Sequence, residues 1–189
     1  MRTVRSLVVA MTMMFATAGS PAAMSPGQES ATRRPDEGIK VHGHWTIELR
    51  NPDGSIAGHH EFENALVNQG AQVLATLLQG NAPRGLWIMQ AGTATGGGPC
   101  APGSGICLLA EPGVPFNSAG AISVGLAGNN QAVRLNGTLT AGQDGDIGVV
   151  TTNQIVGSQS FVFSQRTLPA PIHVVAGQTV AVSVVFSFS

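Results

Sequence analysis

The sequence predicts an all-β domain, an antiparallel β-sandwich or jelly roll with one short helix. Only 10% of the 189 residues are Asp, Glu, Lys or Arg, which leaves few charges to cover helix surfaces. Glycine is abundant, with 25 residues, and suits tight turns between short strands. In the second half of the chain, alternating apolar segments follow one another without helical crossovers, which disfavours a parallel α/β fold.

The chain begins with the features of a secretory signal peptide. Arg2 and Arg5 precede an apolar run, residues 7–16, and small residues follow it, so cleavage after Ala18 or Ala22 fits the pattern. A transmembrane anchor is the alternative, but this run is shorter than the roughly 20 residues needed to span a bilayer. We therefore expect a secreted protein, located outside the cell, at the cell surface or in the periplasm.

Behind a signal peptide of residues 1–22, the chain divides into two parts. Residues 23–38 contain proline and lack apolar periodicity, which predicts a flexible linker. Residues 39–189 suit a single β-sandwich domain, and none of their apolar segments is long enough to span a membrane. The formal net charge of -1, without a long run of either sign, argues against a nucleic-acid partner.

The hairpin at the start of the domain is predicted from alternation. Residues 44–49 alternate apolar and polar side chains, residues 53–54 (Asp-Gly) suit a two-residue turn, and residues 56–62 return. This register places Trp45 opposite Phe62 on the buried face. On the outer face it pairs His44 with Glu63, Thr46 with Glu61, and Glu48 with His59.

The outer hairpin face carries the densest set of potential ligands in the sequence. His42, His44, Glu61 and Glu63 would share it, and imidazole and carboxylate groups at such spacing bind zinc. The alternative is a solvated polar face with cross-strand His–Glu pairs, which is common on exposed two-stranded sheets. No cofactor is expected, and neither a Gly-x-Ser-x-Gly motif nor a His-Glu-x-x-His motif is present to identify a hydrolase.

The remaining elements are one helix and a series of strands. Residues 68–80 have apolar side chains at helical spacing and end in Gly80, a suitable C-terminal cap, so this helix should plug one end of the sandwich. Trp87 and Trp45 fall at apolar strand positions, which predicts core residues rather than an exposed carbohydrate platform. The other predicted strands are 86–89, 133–139, 147–152, 160–165, 172–175 and 180–189.

Cys100 and Cys107 bracket a turn rich in glycine and proline. In an oxidising compartment, two cysteines in this arrangement most simply form one local disulfide that shapes a surface loop. Metal binding needs more ligands than this pair provides, and a redox Cys-x-x-Cys spacing is missing.

The terminal strand is the clearest in the sequence. It carries no charge to guard an edge, and such strands invite pairing with another chain. A core strand within a monomer is the equally weighted alternative. Its apolar side chains on one face are Val180, Val182, Val184, Phe186 and Phe188.

Two segments resemble modules of phage tail fibres and related bacterial proteins. They are residues 62–80, which contain Phe-Glu-Asn-Ala-Leu-Val-Asn-Gln-Gly-Ala, and residues 171–189, which begin Pro-Ile-His-Val-Val-Ala-Gly-Gln. The resemblance implies a β-sandwich used for assembly or surface binding, often in an oligomer. Because virion proteins assemble in the cytoplasm, the signal peptide indicates a secreted bacterial relative.

Together these features predict a secreted, non-enzymatic structural or binding module, acting alone or as a subunit of an extracellular or cell-surface assembly. Its expected partner is a second copy of the chain or another extracellular protein. The alternative is a secreted metal-binding protein or hydrolase that uses the hairpin at residues 42–63.

Overall fold

The computed structural model describes residues 39–93, 108–112 and 120–189. The predicted signal peptide, the linker and the Cys100–Cys107 disulfide lie outside these residues. Within them the chain is all-β apart from one helix, as predicted. The strands are β1 (Val41–Arg50), β2 (Ile56–Ala65), β3 (Leu86–Gly92), β4 (Leu108–Ala110), β5 (Gly120–Ala127), β6 (Ala132–Thr140), β7 (Gly145–Val156), β8 (Gln159–Val174) and β9 (Thr179–Phe188), and the helix α1 is Asn68–Leu78.

The nine described strands form one sheet that folds over a shared core and nearly closes on itself. Its order is β2-β1-β9-β6-β5-β4-β3-β7-β8, so β2 and β8 are the two edges. Neighbours are antiparallel, except that β4 and β5 pair in parallel. Aromatic rings join distant strands across the core: the ring of Phe186 lies 5.7 Å from that of Trp87 and 5.1 Å from that of Phe163, between centroids. Both tryptophans are buried, as predicted.

The β1–β2 turn differs from the predicted two-residue turn. The amide of Gly54 donates to the carbonyl of Asn51 at 2.8 Å, and the amide of Asn51 donates to the carbonyl of Ser55 at 2.9 Å. Gly54 has a φ of 85°, in the left-handed region that glycine adopts without strain. The loop is therefore a turn begun by Pro52 and ended by a glycine bulge, which uses three residues instead of two.

The hairpin register is nevertheless the predicted one. A register shift between Leu49 and Arg50 offsets the extra loop residue, and Trp45 lies opposite Phe62. Their rings stack with centroids 6.0 Å apart. The buried face of the hairpin thus fixes the register, because slipping β2 by one residue would turn Phe62 towards solvent and break its stack with Trp45.

Helix α1 caps one end of the core, as its apolar spacing predicts. Leu74 packs against the core, and Gly80 follows the helix with a φ of 71°. The helix lies close to β8: a Cβ atom added at Gly70 would meet the carbonyl oxygen of Phe163 at 2.2 Å. In the described part of the chain, no helix has both the length and the apolar character to cross a membrane.

The second half of the domain contains two departures from prediction. The segments 160–165 and 172–175, predicted as separate strands, belong to the single strand β8. Its register with β7 shifts between Ile147 and Val149, where β8 contributes several additional residues. Strand β5 was not predicted, because its glycines and small side chains weaken the pattern of alternation.

The terminal strand β9 lies in the middle of the sheet. It is hydrogen-bonded to β1 on one side and to β6 on the other over its length. Of the five residues predicted for an assembly edge, Val180, Val182, Val184 and Phe186 are buried, and Phe188 is exposed. The edge-strand expectation is therefore wrong, since the main chain of β9 is already paired on both sides. Assembly with another chain stays a prediction.

Candidate functional site

The two true edges of the sheet, β2 and β8, face each other along what we call the seam. At the helix end they touch: Leu66 forms a bridge with Ser164, and the amide of Val67 donates to the carbonyl of Phe163 at 3.1 Å. Further along they separate around a cleft of about 470 Å³. The cleft is lined by residues 59–62 of β2 and by Arg166, Leu168, Pro169, Ala170 and Ile172 of β8.

Hydrogen bonds at the far side of β1 show which main-chain groups of β2 face the seam. The main chains of Lys40 and Ser189 exchange two bonds, of 2.8 and 3.1 Å. Because bonding direction alternates along antiparallel strands, even-numbered residues of β1 bond to β9 and odd-numbered ones to β2. Their partners in β2 are even-numbered. The N–H and C=O groups of His59, Glu61 and Glu63 therefore point away from β1, into the seam.

The contacts of Arg166 agree with this assignment. Its Nη1 donates to the main-chain carbonyl of Glu63, which draws β8 towards β2 at the closed end of the seam. Its guanidinium carbon also lies 5.8 Å from the centre of the Phe62 ring, within range of a cation–π contact. In the described part of the chain, no strand pairs with the outward groups of His59 and Glu61.

Prolines protect the opposite side of the seam. Pro169 and Pro171 lie in β8 at its irregular stretch, and neither has an N–H group to offer a partner strand. Prolines and bulges are common protections of exposed edges. An incoming strand is therefore expected to pair with β2 and only to pack against β8.

The outer hairpin face carries interacting imidazoles and carboxylates in the predicted register. His59 Nε2 lies 3.1 Å from an oxygen of Glu61, and the two ring nitrogens of His44 lie 3.9 and 4.0 Å from oxygens of Glu61 and Glu63. These side chains are about half exposed or more, so each pair contributes little to stability. Glu48, on the same face, forms an ion pair with Arg50 at 2.6 Å.

The four predicted metal ligands do not all converge. His44 contacts both carboxylates, whereas His42 lies opposite Ala65, beyond Glu63 along the strand pair. Among the residues that the structure describes, no group of three or more His, Cys, Asp or Glu side chains is arranged to hold a metal ion. The geometry is that of cross-strand His–Glu pairs, and metal binding stays a prediction.

The hairpin turn contains a carboxylate with an altered pKa. The hydroxyl of Ser55 donates to Asp53 Oδ1 at 2.6 Å, and the amide of Ser55 donates to the same oxygen at 2.9 Å. These bonds favour the charged form and hold the pKa of Asp53 below its ordinary value of 3.8, with the hydroxyl as the larger cause. The ionised carboxylate is therefore the form that these two bonds stabilise.

Sequence reasoning found the hairpin and missed the seam. Arg166 and the two prolines of β8 were not singled out, although a Pro-x-Pro pair within an alternating segment is a signal of an edge or a bulge. No protein-family model, curated protein or solved structure matches this chain. The resemblance to tail-fibre modules therefore stays a prediction, and the site itself must carry the functional argument.

Proposed function

We propose that this domain is a non-enzymatic binding module that takes up an extended peptide segment of another extracellular protein as an additional strand on β2. The observation that supports it most is that, among the residues the structure describes, no strand pairs with the outward main-chain groups of His59 and Glu61 beside the cleft. Strand addition at a sheet edge is a common mode of peptide recognition, in which the main chain supplies affinity and side chains supply specificity. The extracellular location rests on the predicted signal peptide.

The residues that line the seam predict the sequence pattern of the peptide. Side chains on one face of an added strand would enter the cleft, towards Phe62 and Leu168, and would favour apolar residues. Side chains on the other face would lie beside Glu61 and Glu63, which favours Lys or Arg at alternating positions. The preferred partner is therefore a segment of alternating apolar and basic residues.

The test is titration calorimetry with a short peptide of alternating lysine and valine. We expect measurable binding, and no binding by a peptide of the same length in which glutamate replaces lysine. Two further peptides keep the same side chains and carry N-methyl groups on alternate amides, one on the odd-numbered amides and one on the even-numbered amides. One of the two must lose the amides that pair with β2 and should bind more weakly. If both bind as tightly as the first peptide, or if the first peptide does not bind, strand addition is overturned.

Two substitutions at one position provide the matched control. His59→Pro removes an outward N–H group, and we expect it to weaken peptide binding by at least about fivefold. His59→Ala keeps that N–H group and should leave the affinity within about twofold. Equal affinities for the two variants would contradict the proposed pairing. Light scattering of the protein alone separates this proposal from self-assembly, for which a defined oligomer without added peptide is expected.

A further inference from the structure

Arg166, at the closed end of the seam, is a half-buried cation that lines the cleft. Among the described residues, no carboxylate lies within ion-pair distance of its guanidinium. Glu63 offers Arg166 only its main-chain carbonyl, and its carboxylate lies on the outer hairpin face, 4.0 Å from His44. Because a partly buried charge is costly without a counter-ion, an anion supplied by a ligand would be bound favourably.

The contacts of Arg166 leave it able to bind such an anion. A guanidinium has five N–H donors, and in the described part of the chain only Nη1 is used, in the bond to the carbonyl of Glu63. The ring of Phe62 supports the guanidinium carbon at 5.8 Å from its centre. Carboxylates pair well with guanidinium groups, which can donate two parallel bonds to them. Arg166 therefore has enough donors to bind a carboxylate and keep its bond to β2.

The closed end of the seam also limits how far an added strand can extend. The bridge between Leu66 and Ser164 joins the two edges there, and Arg166 occupies the outward carbonyl of Glu63. A strand that pairs with residues 59–61 cannot continue along β2 past this point. An internal segment would have to turn out of the seam, whereas the end of a chain can stop at Arg166.

We propose that the seam binds the C-terminal end of its protein partner and that Arg166 receives the terminal carboxylate. This inference rests on the proposed strand addition at β2, to which it adds the end and the direction of the bound segment. The segment runs parallel to β2, because β2 also has its C-terminal end at the closed end of the seam. The opposite direction would bring a terminal ammonium group towards the guanidinium, and like charges repel. Capture of a C-terminal carboxylate is a recurring mode of peptide recognition.

The test compares three N-acetylated peptides of alternating lysine and valine by titration calorimetry. One has a free C-terminal carboxylate, one is amidated, and one has the free carboxylate after two additional glycines. We expect the free acid to bind about tenfold more tightly than the amide, and the extended peptide to bind no more tightly than the amide. Equal binding of the free acid and the amide would overturn carboxylate capture and leave strand addition intact. No binding of any peptide would overturn both, and binding of the extended peptide as tight as that of the free acid would overturn the terminal position.

Three variants test whether Arg166 is the residue responsible. Arg166→Gln removes the charge and should bind the free acid and the amide equally, whereas Arg166→Lys keeps the charge and should retain part of the preference. Arg134→Gln makes the same exchange on β6, which is not part of the seam, and should keep the full preference. Because each ratio compares two peptides on one variant, a general loss of affinity does not affect it. A full preference in Arg166→Gln, or an equal loss in Arg134→Gln, would overturn the assignment.

Discussion

Strands β9 and β2 are both ten residues long and both pair with β1, but they differ in composition and in position. Strand β9 carries no charge and lies in the middle of the sheet. Strand β2 carries His59, His60, Glu61 and Glu63 and lies at its edge. An uncharged strand invites aggregation only if its main chain is free, so a central position tolerates what an edge does not. Charged side chains on a strand therefore indicate an edge position better than a lack of charge does.

The largest expected effect of a substitution is on the core-facing side of β9. Phe186 is 1% exposed and Phe188 is 40% exposed, on the same face of one strand. Phe186→Ala should lower the free energy of unfolding by about 3–5 kcal/mol, because it removes a ring packed against Trp87 and Phe163. Phe188→Ala is the control and should cost about 1 kcal/mol. Urea unfolding measures both, and equal losses would contradict the packing of Phe186 in the core.

A second prediction concerns the two sides of β2. The N–H group of His60 bonds to β1, whereas that of His59 faces the seam. His60→Pro should lower the free energy of unfolding by about 2–3 kcal/mol, because it breaks a ladder bond and leaves a carbonyl of β1 without its donor. His59→Pro should lower it by about 1 kcal/mol or less. Urea unfolding of the two variants tests the alternation, and the reverse order would place the free edge groups at even-numbered positions.

The comparison also shows which parts of the fold were predictable. The hairpin register and α1 follow from patterns within about twenty residues of sequence, since alternation, helical spacing and aromatic pairs act locally. The position of β9 between β1 and β6 depends on partners far away in the chain. A strand pattern states which face is apolar and is silent about which strands lie beside it.

The seam was unpredictable for the same reason. Arg166 and Glu63 meet across 103 residues of sequence, and no local pattern reports that contact. The prolines at 169 and 171 interrupted the alternation, so β8 was predicted as two strands, although the chain passes through them as one irregular strand. The register of the outer hairpin face was predictable, because it follows from Trp45 and Phe62. The edge position of β2 was not, because it depends on which strands pair with β1.

A smaller effect is expected from the charges of the outer hairpin face. If His44 and Glu63 serve as edge protection and cross-strand partners, replacing both with Ala should change the free energy of unfolding by about 0.5 kcal/mol or less. Zinc should be absent at stoichiometric levels from the wild type and the variant alike, when purified protein is analysed by mass spectrometry of metals. Stoichiometric zinc in the wild type that the double variant loses would instead establish the metal-binding alternative.

The smallest expected effect lies at the turn that joins the two strands. The hydrogen bonds from Ser55 lower the pKa of Asp53 in the folded protein below its ordinary value of 3.8. The ionised form therefore stabilises the folded state above that ordinary value, and this contribution is lost as the pH falls through the lowered pKa. A proton titration of Asp53 by NMR should show a midpoint below 3.8. In Ser55→Ala, which loses the hydroxyl but keeps the amide, the midpoint should rise towards the ordinary value. An unchanged midpoint would show that the hydroxyl of Ser55 does not lower the pKa of Asp53, which would leave its amide as the group responsible.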